Sequence, residues 1–351
     1  MAFGFSHQQR NGAGWRKFSW ALAIGLLACC GAALGQSSSN LAARGDYAKI
    51  AEALKPFIEG QMSLAGIPAI SIAIVDDQQI VWAQGFGMAD PKEKIPATAE
   101  TVYRIGSVSK LFTDIAIMQR VERGEINLDT PVNTYLPEFK PRNPFGAPIT
   151  LRELMSHRSG LLREPPVGNY FETTEPTLAA TVASLNDTEL VYAPGTHTKY
   201  SNAAIAVVGY VLETQTHQPF AKYLKSTVLE PMGLHHSSFE PDPQIVRNLA
   251  KAEMWTYDGK TFEAPTFQLG MAPAGSMYST VEDLGKFLSV LMAQGKTENG
   301  PLIQPATLQQ MWSPQFPNPG GWEFGLGFLV RSFEGRRLVG HGGAIYGFAT
   351  T

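Results

Sequence analysis

Apolar residues change their spacing along this chain, and each change marks a new structural element. From Tyr47 to Ala65 they recur every three or four positions and a glycine follows, which predicts an amphipathic helix. Two β-rich runs, 69–75 and 80–87, flank a polar Asp-Asp-Gln-Gln turn and predict a hairpin. Most of 99–314 has helical spacing with long polar connections. Three further runs are again β-like: 325–330, 337–340 and 345–349.

This order of elements predicts an α/β (α+β) fold. We expect one antiparallel sheet built from both chain ends and flanked by helices, plus a helical lobe. The sheet lobe would comprise about 45–95 and 320–351, and the helical lobe about 96–315. Thr150 and Glu153 have the capping-box spacing and predict a helix start. A site would then lie at the seam of the lobes, where pockets commonly form.

A helix that begins near Ser107 carries the first candidate chemistry. Ser107 and Lys110 stand three residues apart, so an amine and a hydroxyl share one helix face. A serine hydroxyl becomes nucleophilic when a neighbouring base accepts its proton, and a lysine can do this if its pKa is lowered. The N–H groups of the helix start would suit a developing oxyanion. Alone, the pattern also fits a capping serine followed by an exposed lysine.

Tyr200, Ser201 and Asn202 are the second candidate group. A phenol and an amide two residues apart in a loop could face one cleft. Tyr200 could move a proton if cations hold its pKa below its usual value near 10. Asn202 could bind a substrate amide. The alternative interpretation is a surface loop in which Ser201 or Asn202 caps the next helix.

His341, Gly342 and Gly343 are the third group, and they follow a short predicted strand. The two glycines would let a substrate lie against the backbone. The N–H of Ala344 could pair with that of Ser107 as an oxyanion hole. A turn histidine without a partner is the alternative for His341.

Taken together in this order, Ser107-x-x-Lys110, Tyr200-x-Asn202 and His341-Gly342-Gly343 resemble the three motifs of the serine β-lactamase and penicillin-binding protein superfamily. The pattern is most similar to the branch containing class C β-lactamases, D-alanyl-D-alanine carboxypeptidases and related esterases. The resemblance runs from about Tyr47 onward. Four stretches support it: 103–107, 123–129, 149–161 and 273–280.

The resemblance implies a β-lactamase/transpeptidase-like fold and a serine acyl hydrolase acting through an acyl-enzyme. Its substrate would be a β-lactam, a D-alanyl peptide or a short ester. Ser107 is then the nucleophile, Lys110 and Tyr200 share the proton transfers, and Asn202 binds the acyl amide. The glutamate that activates water in class A enzymes has no counterpart, which leaves Tyr200 as the expected base in deacylation. A relative that is acylated once without turnover, as in a penicillin sensor, is the alternative.

Three features depart from the β-lactamase pattern. His341 stands where β-lactamases have a lysine, and a histidine is mostly uncharged near neutral pH. This favours peptidase-like or esterase-like use. Asp114, four residues after Lys110, would hold that lysine protonated unless it faces away or pairs elsewhere. The printed sequence stops at Thr351, where relatives continue with more strands and a terminal helix, so we expect a fragment or a sheet that lacks those strands.

Composition excludes several other classes of protein. A formal charge of −3 and the absence of like-charge blocks argue against a nucleic-acid partner. There is no G-x-S-x-G for an α/β hydrolase. A zinc site using His157, His235 and His236 lacks an H-E-x-x-H helix. We therefore expect no metal and no cofactor, and a small-molecule or peptide acyl substrate as the partner; the oligomeric state is left open.

The first 35 residues have the pattern of an export signal. Basic residues precede the apolar run 18–35, and polar residues follow it, which predicts cleavage after Gly35 and a single mature domain at 36–351. Both cysteines, Cys29 and Cys30, lie in that run, so the mature domain would have no disulfide. A lipoprotein box at 26–29 or a retained membrane anchor are the alternatives. We expect a periplasmic or secreted protein, with membrane contact only through such an anchor.

Overall fold

A computed structural model describes residues 47–316 and 323–351. The chain divides into two compact units, 1–53 and 54–351. The expected signal segment, its cleavage position and the two cysteines lie outside the described residues. Within the described ranges, no helix is both long enough and apolar enough to cross a bilayer. The candidate site belongs to the second unit.

The helices follow the predicted periodicity closely. Helix α1 has the bounds read from the sequence, and α3 begins with the predicted capping box, in which Thr150 and Glu153 exchange hydrogen bonds with each other's backbone N–H. The helices of the described ranges are α1 (Tyr47–Ala65), α2 (Ser109–Glu122), α3 (Leu151–Met155), α4 (Leu178–Ala183), α5 (Asn202–Thr216), α6 (Phe220–Leu224), α7 (Pro243–Asn248), α8 (Ala272–Gly275), α9 (Val281–Met292) and α10 (Pro305–Met311).

The strands are mostly short. They are β1 (Ala69–Asp76), β2 (Gln79–Asp90), β3 (Ile95–Pro96), β4 (Tyr103–Arg104), β5 (Glu253–Trp255), β6 (Thr261–Glu263), β7 (Tyr278–Ser279), β8 (Lys296–Thr297), β9 (Gly300–Pro301), β10 (Glu323–Phe324), β11 (Leu329–Phe333), β12 (Arg336–Gly340), β13 (Gly343–Ile345) and β14 (Phe348–Thr350).

The mixed α/β class is confirmed, with one difference in the sheet. The predicted hairpin is the antiparallel pair β1–β2, whose register runs from Ala69 opposite Gly87 to Asp76 opposite Gln79. Instead of one sheet shared by both chain ends, the described strands form small antiparallel sheets: β1-β2-β3, β10-β11-β12, β13-β14 and three further pairs. Except in the pair β4–β7, strands adjacent in sequence pair with each other, because closing a short loop costs little entropy.

Two other strand predictions are corrected. The run 345–349 is interrupted by the turn of a hairpin: Ile345 ends β13 and Phe348 begins β14, whereas Tyr346 and Gly347 have positive φ, 37° and 81°, as a two-residue type I′ turn requires. The hairpin β5–β6 lies in a region expected to be helical. Its strands are largely exposed, so they lack the buried alternation by which a strand is recognised.

Helix α2 lies at the centre of the hydrophobic core. Eleven consecutive residues, Ser109 to Gln119, are buried, and α5 is almost as completely enclosed. A helix that is buried on every face has no solvent side to which polar residues can turn. Lys110 and Asp114 are therefore both fully buried.

The turn that precedes α2 is a short 3-10 helix, Gly106–Val108, and strand β13 packs directly against it. A Cβ added to Gly343 would lie 2.0 Å from the carbonyl oxygen of Ile105 and 3.0 Å from the backbone nitrogen of Ser107. A Cβ on Gly106, whose φ is +52°, would lie 2.7 Å from the nitrogen of Ala344. Glycine at both positions permits this close backbone contact.

We expect Gly343→Ala to destabilise the protein by about 2 kcal/mol or more, because the clash is with backbone that cannot rotate away. Gly340→Ala is the matched control, since a Cβ on Gly340 has no atom within 4 Å and would be tolerated. Thermal or urea unfolding measures both. Equal stability of the two variants would contradict the close packing of β13 against this turn.

Candidate active site

Ser107 and Lys110 meet at the start of α2. Ser107 is partly exposed on the 3-10 turn, whereas Lys110 is wholly buried one turn later. The Lys110 Nζ atom donates a hydrogen bond to Ser107 Oγ at 2.9 Å and another to the carbonyl oxygen of Ala274 at 2.6 Å. The amine is thereby aimed at a hydroxyl that a ligand can reach.

Burial lowers the pKa of Lys110 to about 7. The cause is desolvation, because the charged ammonium loses its water in the core. Glu164 and Asp114 oppose this effect and Arg163 adds to it. A substantial fraction of Lys110 is therefore the neutral amine, and so a competent base, near neutral pH.

Asp114 favours the charged form of Lys110, but burial of the lysine outweighs this effect. Its carboxyl group is fully buried, and neither oxygen has a hydrogen-bond partner among the described residues. Burial raises the pKa of this carboxyl group well above its usual range. Of the two alternatives expected for Asp114, facing away or pairing elsewhere, the described residues provide no partner for the second. Asp114 lies against Gly327, where an added Cβ would come within 2.3 Å of Oδ2.

Tyr200 lies beside both of these groups. Its phenol shares a hydrogen bond with Ser107, Lys110 Nζ lies 4.9 Å from the ring centroid, and Arg163 Cζ lies 5.1 Å from it. The condition that cations hold the pKa of Tyr200 below its usual value is not met, because desolvation by burial outweighs them and raises that pKa. Tyr200 is therefore a protonated phenol in this state.

His157 supports the segment that carries Tyr200 through ring packing and backbone hydrogen bonds. Its ring packs on the Tyr200 ring with centroids 4.3 Å apart and meets Phe324 edge-on. The backbone N–H of Ser201 donates to His157 Nδ1 at 3.3 Å, and the N–H of Lys199 donates to the His157 carbonyl oxygen at 2.8 Å. Burial lowers the pKa of His157 far below its usual value, so the ring is a neutral acceptor.

The sequence analysis assigned His157 only to a helix end and to a rejected zinc site. Its backbone is left-handed, with φ of 59°, at the end of α3. Nothing in the local spacing points to Tyr200, which lies more than forty residues further along the chain.

The segment 200–202 provides the expected helix cap, but Ser201 and Asn202 are buried and it is not a surface loop. Ser201 caps α5: its Oγ accepts from the N–H of Ala204 at 2.9 Å. Asn202, the first residue of the helix, is buried and faces the loop 162–177 rather than solvent. Its Nδ2 donates to both carboxylate oxygens of Glu164 at 2.9 Å and also contacts the hydroxyl of Tyr170 at 3.3 Å.

Glu164 is the residue that the sequence analysis missed in this cluster. It lies in a proline-rich loop and belongs to none of the three motifs. Asn202 Oδ1, by contrast, is buried with no hydrogen-bond partner among the described residues. Residues 38 apart in sequence meet here only because the loop folds back over the start of α5.

His341 and the glycines line the strand side of the site. The His341 and Tyr200 ring centroids lie 5.9 Å apart, and His341 Nδ1 contacts the Gly342 carbonyl oxygen at 2.5 Å. Burial lowers the pKa of His341 to about 4, so the ring is uncharged at neutral pH. Gly343 packs on the turn that carries Ser107, and the adjacent Ala344 is exposed.

The structure thus brings all eight predicted site residues to one region around Ser107. They come from three separate stretches: the start of α2, the start of α5 and strand β13. Among residues 47–316 and 323–351, no cluster of three histidine, cysteine or acidic side chains could hold a metal ion.

Such a nucleophile, buried amine and strand-side backbone define a serine hydrolase of the β-lactamase type. A sequence model of the Beta-lactamase family matches residues 54–351, and the chain therefore belongs to that family.

Individual proteins of other organisms are also similar in sequence to this chain. The chain is 30% identical over 275 residues to Beta-lactamase-like protein 2 of Dictyostelium discoideum, which covers 75% of this chain and 49% of the relative. Across the first curated relatives that match, the chain spans between 49% and 61% of their lengths.

Two solved structures are similar over most of the chain. An octameric penicillin-binding protein homologue from Pyrococcus abyssi has a TM-score of 0.75 and 29% identity, covering 84% of this chain and 68% of the homologue. A D-stereospecific amidohydrolase from Streptomyces has a TM-score of 0.66 and 25% identity, covering 81% of this chain and 84% of that enzyme. The β-lactamase/transpeptidase-like fold is confirmed, and these relationships support a serine hydrolase in general.

We expect His157→Asn to lower stability by about 2 kcal/mol and to loosen Tyr200, because the change removes a buried ring while keeping a residue type that tolerates positive φ. His217→Asn is the matched control: His217 also has positive φ, 54°, but is exposed at the end of α5. Thermal unfolding measures the difference. If the two variants lose the same stability, His157 does not support the site in this way.

Proposed function

We propose that this protein is a serine acyl hydrolase that cleaves amide or ester bonds through an acyl-enzyme on Ser107. The observation that carries the proposal is the contact between Lys110 Nζ and Ser107 Oγ at 2.9 Å, made by a lysine whose pKa is about 7. A neutral amine at this distance can accept the hydroxyl proton as the oxygen attacks.

In acylation, Ser107 Oγ attacks the substrate carbonyl carbon while its proton passes to Lys110 Nζ. The N–H groups of Ser107 and Ala344 are the donors proposed for the developing oxyanion, as the packing of β13 on the Ser107 turn supports. The phenol of Tyr200 then gives its proton to the leaving nitrogen or oxygen and is reprotonated from Lys110. The carbonyl forms again and the leaving group departs.

Deacylation uses the same groups in reverse order. Water replaces the leaving group, loses its proton through Tyr200 to the neutral Lys110, and attacks the ester carbon. Ser107 Oγ leaves as the acid is released and recovers its proton from Lys110. Because Tyr200 is held as a phenol, its part is that of a relay, and Lys110 is the proposed base in both steps.

The charge of the site favours some acyl donors over others. An uncharged His341 offers no fixed cation at the position where β-lactamases have lysine. A substrate carboxylate, such as that of a β-lactam, is therefore bound less strongly here. We propose peptide-like amides or esters as substrates in preference to β-lactams, and Asn202 as a contact for the acyl portion.

The cellular location of the protein is also a proposal, drawn from the basic and apolar character of residues 1–35. We propose that the protein is exported, to the periplasm or the exterior.

We expect a fluorophosphonate probe to form an adduct on Ser107, because the probe captures a serine activated by a neighbouring base. Mass spectrometry of the digested protein locates the adduct, and Ser107→Ala must abolish it. Ser109→Ala is the control at a buried serine two residues away, and it retains the adduct. Folded protein that gives no adduct on Ser107 contradicts the proposal.

We expect the labelling rate to rise about tenfold per pH unit below pH 7 and to level off above it, because deprotonation of Lys110 creates the base. The other two titratable groups of the site do not titrate in the range tested, about pH 6 to 9. The pKa of His341 is about 4, and the pKa of Tyr200 is raised above its usual value. Labelling at fixed probe concentration across this range measures the profile.

The control for this profile is Lys110→Arg, which keeps a cation but supplies no base. The labelling rate of this variant should show no rise that levels off near pH 7. At pH 8 the variant should react with the probe at least about a hundredfold more slowly than the wild type. A wild-type profile without a step near pH 7 would exclude Lys110 as the base.

A further inference from the structure

Asp114 is a buried carboxyl group that the proposed mechanism does not use. It lies on α2 four residues after Lys110, so the two side chains are neighbours on one face of the helix. Both are fully buried. In the part of the chain that the structure describes, neither oxygen of the Asp114 carboxyl group has a hydrogen-bond partner. The group is therefore enclosed beside the proposed base without the contacts that normally accompany a buried carboxylate.

Asp283 shows how a carboxylate of equal burial is satisfied elsewhere in the fold. One of its oxygens accepts from Lys286 Nζ at 2.9 Å. The other accepts from the backbone N–H of His236 at 2.7 Å and from Ser237 Oγ at 2.9 Å. Asp283 thus joins α9 to an earlier segment of the chain. The carboxyl group of Asp114 makes no such connection, so the fold gains no hydrogen bond from it.

The space that Asp114 occupies depends on Gly327. This glycine lies between β10 and β11 with φ of +79°, and its N–H donates to the Met155 carbonyl oxygen at 3.0 Å. A Cβ on Gly327 would lie 2.3 Å from Asp114 Oδ2 and 3.1 Å from Asp114 Cγ. The carboxyl group is therefore packed against backbone that has no side chain, and a larger residue there would displace it.

The charges of Asp114 and Lys110 act on each other. Burial has the largest effect on both groups, since it raises the pKa of Asp114 and lowers the pKa of Lys110. Against that effect, the charge of Asp114 raises the pKa of Lys110, and the charge of Lys110 lowers the pKa of Asp114. Such an attraction is stronger in the core than between the same charges in water.

Other titratable groups face Lys110 from elements other than α2. Glu164 also favours the charged lysine, whereas Arg163 opposes it. The Glu164 side chain is 27% exposed and forms an ion pair with Arg163, so solvent and the guanidinium both weaken its effect. The remaining groups carry no charge at neutral pH: His157, Tyr200 and His341. Among the described residues that act on Lys110, Asp114 is therefore the carboxyl group that is both enclosed and unpaired.

We propose that Asp114 is a positioning residue for the proton on Lys110. Its buried carboxyl group favours the protonated lysine and thereby sets, from one helical turn away, the pH at which Lys110 becomes a free base. The same attraction stabilises the ammonium group that forms when Lys110 accepts the proton of Ser107. The proposal rests on the proposed function, because it concerns the base of the same site.

This role has a cost in stability. Burial of a carboxyl group without a partner is unfavourable. Asp114→Ala avoids that cost and also introduces a residue of higher helix propensity. A carboxyl group that serves the fold, such as that of Asp283, is one whose removal lowers stability. The two roles therefore predict opposite changes in stability when the carboxyl group is removed.

The first measurement is the pH profile of Ser107 labelling. We expect Asp114→Ala and Asp114→Asn to move its midpoint from near pH 7 to lower pH, by about one pH unit, because Lys110 loses the neighbouring charge that favours its proton. We also expect the rate above the midpoint to fall by about threefold, since a less basic amine accepts the Ser107 proton less readily. The fluorophosphonate probe, with mass spectrometry between about pH 5 and pH 9, measures both quantities.

The second measurement is thermal unfolding at neutral pH. We expect Asp114→Ala to raise the melting temperature by about 2 °C or more, because it removes an unpartnered buried carboxyl group. Asp283→Ala is the matched control: it removes an equally buried carboxylate that has partners, so it should lower the melting temperature and leave the labelling midpoint near pH 7. Glu122→Gln, at an exposed acid near the end of α2, is a second control that should also leave the midpoint unchanged.

The outcomes separate this proposal from the proposed function. No labelling of Ser107 in folded wild-type protein refutes the proposed function. A wild-type profile with its midpoint near pH 7 that both Asp114 variants leave unchanged, or move to higher pH, refutes the role of Asp114 alone. A lower melting temperature for Asp114→Ala, or its failure to fold, indicates a structural carboxyl group and also overturns the proposal. A lower midpoint together with a higher melting temperature supports it.

Discussion

The burial of Lys110 is the constraint on which the rest of this site depends. Helix α2 is enclosed on every face, so its lysine has no water to solvate an ammonium ion. The same enclosure raises the pKa of Asp114, the carboxyl group that favours the charged lysine. A base with a pKa of about 7 is thus a consequence of packing in the core and needs no neighbouring cation to produce it.

The groups around this lysine are held by contacts from elsewhere in the fold. A neutral His157 supports the Tyr200 ring and accepts from the Ser201 backbone, while Ser201 itself caps α5. Strand β13 approaches the Ser107 turn closely because Gly106 and Gly343 have no side chains. The nucleophile therefore lies between a rigid helix start and a strand, an arrangement suited to a preorganised oxyanion site.

The electrostatic character of the site differs from that expected for binding an anionic substrate. Desolvation leaves Lys110 half-charged and keeps Tyr200 and His341 neutral, while the carboxyl group of Glu164 accepts from Asn202. Family membership supports a serine hydrolase in general, whereas the proposed choice of acyl donor rests on this balance of charge. The reaction class and the choice of acyl donor are therefore separate questions, and we propose that the local chemistry around Asn202 decides the choice of acyl donor.

Local spacing in the sequence was sufficient to predict the helices, the first hairpin and the three motifs. The three-residue spacing of Ser107 and Lys110 determines that they share a helix face, and the capping box at Thr150 determines where α3 begins, because both depend on neighbours within one turn. The tertiary structure alone decided the state of Tyr200, the support from His157 and the presence of Glu164 beside Asn202. These features depend on burial and on contacts between residues about forty positions apart, and the pattern of neighbours along a chain does not specify such contacts.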